Sequence, residues 1–290
     1  MSEQDEAIRE AGGAGFNGDD WAGDMGDRWL ANIAGFEAML APIATVLLAQ
    51  ADYAPGERVL DLGCGGGETT LAIARAVGLA GEAVGLDIAP KLVDLAALRA
   101  SEQRVANVQF VCADAATAPA PGEPFARLFS RFGAMFFAAP VPALANVRVM
   151  LAPGARIDLV VWADPADNAW MTGAGKVAAR YVELAPMVPR APGPFAFAEP
   201  GYLRAVLDEA GFSDITLTEL RTRLAVGGAT DARGAADFVL AAMAFGRTLE
   251  VMEAAVQAAA RRDIEAFFAE HAGPDGVMMD ARAWLVSASA

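Results

Sequence analysis

An acidic residue and a cluster of glycines adjoin each other in segment 61–67 (DLGCGGG). Glycine lets a backbone turn sharply and approach a ligand closely, because no side chain stands in the way. The apolar run 59–62 predicts a strand buried on both faces, and 71–77 has the spacing of a helix. The unpaired N–H groups at the start of that helix favour a carboxylate or a phosphate. The segment therefore predicts a ligand-binding loop between a strand and a helix.

The glycine spacing and the charges separate two kinds of ligand. A dinucleotide site uses the pattern G-x-G-x-x-G beside a pyrophosphate. Here Glu68 occupies the place of the third glycine, and the loop has no lysine or arginine to balance it. A carboxylate is a poor neighbour of a pyrophosphate, whereas Asp61, two residues before Gly63, suits a ligand with a positive group. The loop therefore favours a cationic ligand over a dinucleotide.

Two further acids follow predicted strands. Asp87 lies near the end of the apolar run 83–88, and Asp114 follows the third predicted strand, 108–112. In nucleoside-binding α/β folds a carboxylate at the tip of the second parallel strand accepts hydrogen bonds from the ribose hydroxyls. Asp87 has the right lag behind the first glycine for that role. The alternative is a helix N-cap, since Asp caps helices well and Pro90 suits a first helical turn.

Segment 59–67 (VLDLGCGGG) closely resembles the first motif of the class I SAM-dependent methyltransferases. The resemblance implies S-adenosylmethionine (SAM) as cofactor, S-adenosylhomocysteine as product, and no metal. It also implies that Asp114 binds the adenine amino group while the N–H of Ala115 binds a ring nitrogen. Run 130–137 (SRFGAMFF) resembles one common among small-molecule members. It lacks the Asn/Asp-Pro-Pro-aromatic signature of the amino and adenine N-methyltransferases, which disfavours that subclass.

The resemblance and the predicted topology give a set of site residues. The expected cofactor contacts are Asp61, Gly63, Cys64, Gly65, Gly67, Thr69, Asp87, Ile88, Asp114, Ala115, Ser130, Phe132 and Trp29. The expected acceptor contacts are Met135, Phe136, Trp162, Trp170 and Phe197. Arg131 either holds an acidic acceptor or pairs with a nearby carboxylate, and the sequence does not rank the two.

No catalytic residue is assigned from the sequence. Methyl transfer from a sulfonium is an in-line displacement, so alignment and exclusion of water can supply most of the catalysis. The one histidine, His271, stands beside a predicted turn and is expected at the surface. An acceptor that needs a base would have to use Asp, Glu, Tyr or water. Trp29, Phe132 and Phe136 are candidates for cation–π contact with the sulfonium.

Strands and helices alternate along the chain and predict an α/β fold. We expect a doubly wound, seven-stranded, mostly parallel sheet, Rossmann-like with an antiparallel last strand beside the fifth. N-terminal helices, with a break near Pro42, and helical insertions after strands five and six complete it. The predicted divisions are a flexible tail 1–18, a helical lid 19–52, a SAM-binding core 53–162, a substrate-side insertion 163–199, a core continuation 200–230, a helical insertion 231–275 that forms a pocket wall or a dimer contact, and the last strand 276–290.

Composition bounds the partners and the compartment. The formal charge of −15 disfavours nucleic acid and anionic membrane surfaces as partners, which leaves a small molecule and possible homodimerisation. The N-terminus has no signal-peptide pattern, and no apolar run is expected to span a membrane, so we expect a cytoplasmic protein. The two cysteines, Cys64 and Cys112, are too few for a disulfide framework and are expected to be buried.

Three functions are therefore open at this stage. The first is a SAM-dependent methyltransferase that acts on a small, largely apolar metabolite, with the acceptor atom (O, N or C) unresolved. The second is a SAM-binding protein of the same fold that does not transfer methyl, either a sensor or a catalyst of another reaction. The third is an NAD-dependent oxidoreductase, which the acidic Glu68 in the loop disfavours.

Overall fold

The structure is a computed structural model that describes residues 18–290. The tail predicted for 1–18 lies outside the described residues except for Gly18, where the first helix begins.

Within residues 18–290 the strands are β1 (Arg58–Leu62), β2 (Glu82–Asp87), β3 (Val108–Cys112), β4 (Phe125–Arg131), β5 (Leu151–Trp162), β6 (Ser213–Ala225), β7 (Ala272–Gly273) and β8 (Gly276–Ser289). The helices are α1 (Gly18–Ala22), α2 (Asp24–Ala31), α3 (Ile33–Ala51), α4 (Glu68–Val77), α5 (Pro90–Glu102), α6 (Pro140–Val149), α7 (Ala169–Ala178), α8 (Pro200–Glu209), α9 (Ala232–Ala242), α10 (Ala244–Glu250) and α11 (Ala254–Ala269). Short 3-10 turns occupy Ala134–Phe136, Pro165–Asp167 and Val226–Gly228.

The sheet has the order β3-β2-β1-β4-β5-β8-β6, with the two-residue β7 paired to β8. β1, β2, β3, β4 and β5 pair in parallel, and β8 runs antiparallel between β5 and β6. The predicted fold class, a mostly parallel sheet with an antiparallel last strand beside the fifth, is confirmed. β1 is buried almost throughout, as its apolar run requires when helices cover both faces.

The predicted helix break near Pro42 is wrong. α3 runs unbroken through Pro42, and the N-terminal segment is interrupted at Gly23 and Asn32 instead. A proline inside a helix costs about 3 kcal/mol. α3 offsets this cost because Met39, Ile43 and Leu47 are almost completely buried, and each such side chain contributes roughly 1.5–3 kcal/mol. The proline itself lies on the exposed side of the helix.

Two composition-based expectations also need correction. α3 is long and apolar enough to cross a membrane by length and composition alone, with a mean hydropathy of 1.6, although the sequence led us to expect no such run. In the structure one side of α3 packs into the core of the fold. Cys64 is buried as expected, whereas Cys112 is exposed because it ends β3, which is an edge strand.

Candidate functional site

A cavity of about 1830 Å³ opens where the glycine loop, the segment after β4 and the segments after β5 and β6 come together. Ligand pockets usually measure about 300–1,000 Å³, so this cavity has room for two small molecules side by side. Its walls combine three parts of the chain that are distant in sequence: α1 and α2, the insertion 163–199, and the start of α10. Ligands in open α/β sheets collect at the carboxyl ends of the strands, which is the edge where this cavity lies.

The glycine loop approaches the cavity with bare backbone. Gly63 and Gly65 have φ values of +69° and +53°, a region that favours glycine, and both line the cavity together with Cys64. A Cβ on Gly63 would lie 2.7 Å from the Cα of Gly133, so the turn after β1 and the segment after β4 pack backbone to backbone. A Cβ on Gly65 would meet only the Nε1 atom of Trp29, at 3.8 Å. Gly65 therefore leaves its space free for a ligand.

Asp87 connects the second strand to the glycine loop. Its Oδ2 accepts a hydrogen bond from the N–H of Gly65 at 2.8 Å, and its Oδ1 accepts one from the N–H of Ala89 at 2.9 Å. Burial raises the pKa of this carboxyl, and the backbone N–H donors oppose the shift. Ala89, not Asp87, is the N-cap residue of α5, so the helix-cap alternative does not describe this side chain. Asp87 lines the cavity and keeps lone pairs for a ligand.

The predicted adenine end also lies on the cavity. Ile88, Asp114 and Ala115 all line it. The Oδ1 of Asp114 accepts a hydrogen bond from the N–H of Ala116 at 2.9 Å, which fixes the carboxylate after β3. Asp87 and Asp114 thus present two carboxylates from neighbouring strands, because β2 and β3 pair in parallel.

Four predicted cofactor contacts lie outside the cavity lining: Asp61, Gly67, Thr69 and Ser130. They support the loop from beneath. The Oδ2 of Asp61 accepts hydrogen bonds from the hydroxyls of Thr69 and Thr70, both at 2.7 Å. The Ser130 hydroxyl donates to the carbonyl of Leu62 at 2.8 Å.

Gly67 serves packing. A Cβ on Gly67 would lie 2.8 Å from the Cβ of Ala96 and 3.0 Å from the ring of Phe110. Its missing side chain lets α4 start close against α5 and β3. These four residues therefore support the loop from outside the cavity lining, and their predicted contact with the cofactor stays a prediction.

Arg131 has the second of its two predicted roles. Its Nη1 donates to the Oε2 of Glu68 at 2.9 Å, and its side chain is only 12% exposed. The guanidinium lines the cavity and neutralises the acidic residue in the third dinucleotide position. The pair uses only the Nη1 of a guanidinium that has five N–H donors, so a contact of Arg131 with an acidic acceptor stays a prediction.

Aromatic side chains form much of the cavity wall. All five tryptophans of the chain line it: Trp21, Trp29, Trp162, Trp170 and Trp284. On one side Trp29 stacks on Phe36 with 3.7 Å between ring centroids, and Trp21 meets the edges of Trp29 and Phe136. On the other side Phe132 stacks on Trp162 at 4.1 Å, and Trp170 lies 5.6 Å beyond.

The predicted acceptor contacts divide into two groups. Met135, Phe136, Trp162 and Trp170 line the cavity, whereas Phe197 does not. Phe197 is 2% exposed and packs in the core near Tyr202, so its predicted contact with the acceptor is wrong. Phe197 lies in the predicted segment, but its ring packs into the core instead of the cavity. The sequence contains no pattern that predicts this orientation.

The helical insertion supplies a further part of the cavity wall. Met243, Phe245 and Thr248 on or beside α10 line the cavity. Ion pairs fasten this wall to α2, since Arg28 pairs with Glu250 at 2.6 Å and Arg247 with Asp24 at 2.8 Å. Part of 231–270 thus lines the cavity, and the dimer contact stays a prediction.

Comparison with known proteins supports the resemblance for part of the chain. A family model described as a methyltransferase domain matches residues 59–154, which contain the glycine loop, Asp87 and Asp114. Residues 59–154 are therefore similar to a methyltransferase domain, in agreement with the resemblance of segment 59–67 to the class I SAM-dependent methyltransferases. The alternative of an NAD-dependent oxidoreductase loses its support.

Individual relatives agree with this assignment. The chain is 34% identical over 116 residues to aklanonic acid methyltransferase of Streptomyces sp. (strain C5), covering 40% of this chain and 53% of that protein. It is 30% identical over 183 residues to nocamycin O-methyltransferase of Saccharothrix syringae, covering 60% and 65%. The matches thus span about half to two thirds of these relatives' lengths. A crystal structure of a protein from Bacillus halodurans C-125, described as a putative methyltransferase, shares the fold with a TM-score of 0.55 at 18% identity, covering 85% of this chain and 97% of that one.

The cavity lining contains few groups that could act as a base. Among the described lining residues there is neither a histidine nor a tyrosine. His271 lies outside the lining, where its ring packs against Phe267. No group of three or more His, Cys, Asp or Glu within residues 18–290 is placed to hold a metal. The lining carboxylates Glu37 and Glu199 are paired with Arg99 and Arg190.

Asp61 makes the fold sensitive to pH. Its side chain is 1% exposed, its Oδ1 has no partner, and burial raises its pKa to about 6. Because the folded pKa lies above the unfolded value of about 3.9, this carboxyl stabilises the fold fully below about pH 4 and loses that contribution as the pH rises through about 6. Ionised Asp61 therefore costs stability at neutral pH.

Replacing Asp61 by asparagine is expected to remove this cost. The asparagine side chain would keep an oxygen for Thr69 and Thr70 and would stay neutral. Between pH 4 and pH 7 the free energy of unfolding of D61N should rise relative to wild type by about 1–3 kcal/mol. Urea unfolding at a series of pH values measures this difference. Parallel pH profiles for the two proteins would show that Asp61 does not titrate in this range.

Proposed function

We propose that this protein is a SAM-dependent methyltransferase whose acceptor is a small, largely apolar molecule. One observation carries the proposal: the glycine loop and the carboxylates after β2 and β3 border the same cavity as a wall of aromatic side chains. The cavity exceeds the usual volume of a single-ligand pocket, so it can hold a cofactor and an acceptor in contact. The acceptor atom, O, N or C, stays open.

The cofactor end is assigned to the loop side. SAM fits the residues present, because Gly63 and Gly65 offer bare backbone, Asp87 offers acceptors for the ribose hydroxyls, and Asp114 with Ala115 offers an acceptor and a donor for adenine. The faces of Trp29 and Phe132 suit a sulfonium through cation–π attraction. Asp61 acts indirectly, by holding the threonines at the start of α4.

The acceptor end is assigned to the side lined by Trp162, Trp170 and α10. Bound SAM supplies an electrophilic methyl group. The residues of this chain align the acceptor with it and keep water out, which suits a reaction that needs neither a covalent intermediate nor a strong base. Aklanonic acid methyltransferase and nocamycin O-methyltransferase are named for small-molecule acceptors, which supports an acceptor of that size.

The proposal also covers the kind of partner, the cellular compartment and the oligomeric state. A charge of −15 and an apolar cavity favour a soluble metabolite over nucleic acid or an anionic membrane as partner. We also propose a cytoplasmic location, which cell fractionation would test, and homodimerisation, which sedimentation would test.

Calorimetry and product analysis test the proposed function. Purified protein should bind SAM and S-adenosylhomocysteine but not NAD. Incubation with SAM and fractionated small-molecule extracts should give S-adenosylhomocysteine together with a product 14 mass units heavier than its precursor. SAM binding without any methylated product would favour the non-methylating alternative. No binding of SAM would contradict both.

Trp170 and Phe197 provide a matched test of the acceptor wall. Both are almost completely buried, at 1% and 2% exposure, but only Trp170 lines the cavity. Each leucine variant should lose about 1–3 kcal/mol of stability. W170L should raise the Michaelis constant for the acceptor about tenfold and leave SAM affinity unchanged, because it removes a wall of the acceptor side. F197L should leave both constants unchanged. Equal kinetic effects in the two variants would contradict the assignment.

A further inference from the structure

Five cationic side chains line the cavity, and four of them form an ion pair with a carboxylate. The four arginines, Arg131, Arg190, Arg247 and Arg282, each pair with a carboxylate: Glu68 at 2.9 Å, Glu199 at 2.7 Å, Asp24 at 2.8 Å and Asp167 at 2.6 Å. Lys176 has no carboxylate within 4.0 Å anywhere in residues 18–290. Six other described basic residues also lack an ion pair (Arg75, Arg104, Arg148, Arg204, Arg233 and Arg262), but none of the six lines the cavity.

The position of Lys176 assigns it to the acceptor side. It lies on α7, and Thr172 and Ala179, four residues before it and three after, line the cavity from the same face of the helix. α7 packs against β8 and α11, whereas Asp87 and Asp114 follow β2 and β3 on the other half of the sheet. Trp170 lies on the same helix.

The apolar lining beside Lys176 indicates that its positive charge can attract an anionic ligand. Lys176 is itself exposed and solvated, whereas the cavity that it borders is mostly apolar. A ligand that fills the cavity would exclude water from the contact, and attraction between opposite charges grows stronger where water is excluded. A lysine has a flexible stem and three donors, so it can reach an anion of varied shape. We propose that Lys176 anchors an anionic group of the acceptor and thereby selects acceptors that carry one. This inference rests on the proposed function, which it narrows to anionic, largely apolar acceptors.

A matched pair of probes tests the inference without knowledge of the natural acceptor. 1-Anilinonaphthalene-8-sulfonate carries a sulfonate, and N-phenyl-1-naphthylamine has the same rings without it. Both become fluorescent in apolar cavities, and energy transfer from the five tryptophans reports binding at this cavity. K176Q should weaken the sulfonate probe about five- to tenfold, and K176E should weaken it further. The neutral probe should change less than twofold.

A control variant and two further outcomes complete the test. R180Q removes a cation just beyond α7 that does not line the cavity, and it should leave both probes unchanged. Unchanged binding of the sulfonate probe to K176Q, or equal weakening of both probes, would overturn the inference. A loss of SAM affinity in K176Q would also overturn it, because the partner of Lys176 would then be the cofactor's carboxylate. Failure of the wild type to bind SAM would instead refute the proposed function, so the two failures are distinguishable.

Discussion

Replacing Gly65 by valine is expected to lower the affinity for SAM at least about a hundredfold while the fold persists. A Cβ at this position would point into free space of the cavity, with only the Nε1 atom of Trp29 nearby at 3.8 Å. The two methyl groups of valine would therefore occupy the volume assigned to the cofactor, and a loss of about 2.8 kcal/mol of binding energy corresponds to that factor. Calorimetric titration with SAM measures it.

Backbone strain is the competing explanation, and the chain offers a control for it. Gly65 has φ of +53°, so any side chain there costs roughly 1–3 kcal/mol. Gly56 has φ of +90° and no atom within 4 Å of its would-be Cβ, in a turn before β1 that does not line the cavity. G56V should show a similar fall in melting temperature with wild-type SAM affinity. Wild-type affinity in G65V would remove the cofactor from the glycine loop.

The parts of the fold that the sequence predicts well are those governed by local patterns. The strand, glycine loop and helix of 58–77 follow one another within twenty residues, and each has its own periodicity or turn signal. The break at Pro42 was wrongly predicted because a local rule about proline competes with the burial of Met39 and Leu47 against the sheet. That burial depends on residues far along the chain, which a local pattern does not contain.

The candidate site likewise combines features that local sequence patterns predict with features that depend on packing between distant segments. Gly65, Asp87 and Asp114, which were predicted as cofactor contacts, border one cavity because consecutive parallel strands bring their carboxyl ends to one edge. Phe197 and Trp170 both lie in the insertion after β5, and the choice of which ring faces the cavity is made by packing. The sequence left the pocket wall and the dimer contact open for the insertion that contains α10, since the contact of α10 with α2 joins residues more than two hundred positions apart.

Asp61, Asp87 and Asp114, the three acids of the predicted site, have different structural roles. Only Asp87 and Asp114 border the cavity, so these two are the ones to test for direct contact with the cofactor. Asp61 is sealed beneath the loop and binds threonine hydroxyls. Asp114 borders the cavity and has one local backbone partner. Asp87 borders the cavity and also receives the N–H of Gly65, so it holds the loop in place while facing the ligand.

The alanine variant of Asp87 is expected to bind SAM about ten- to a hundredfold more weakly. Hydrogen bonds to a charged group are worth roughly 1.5–3 kcal/mol, and the ribose would lose such acceptors. The N–H of Gly65 would lose its partner in the same variant, so a distorted loop could produce a similar loss. D94A, which removes an exposed carboxylate of α5 outside the cavity lining, is the control for charge and should bind SAM normally.

Combining the D87A substitution with removal of the ribose hydroxyls from the ligand shows whether Asp87 binds the ribose or only supports the glycine loop. Adenosine and 2′,3′-dideoxyadenosine differ only in the two ribose hydroxyls, and competition against SAM gives the affinity of each for wild type and D87A. If Asp87 accepts hydrogen bonds from the hydroxyls, wild type should prefer adenosine about ten- to a hundredfold, and D87A should lose that preference. If Asp87 only supports the loop, both nucleosides should weaken by the same factor and the preference should survive. The ratio of the two affinities, not either affinity alone, therefore decides the role of the carboxylate at the end of β2.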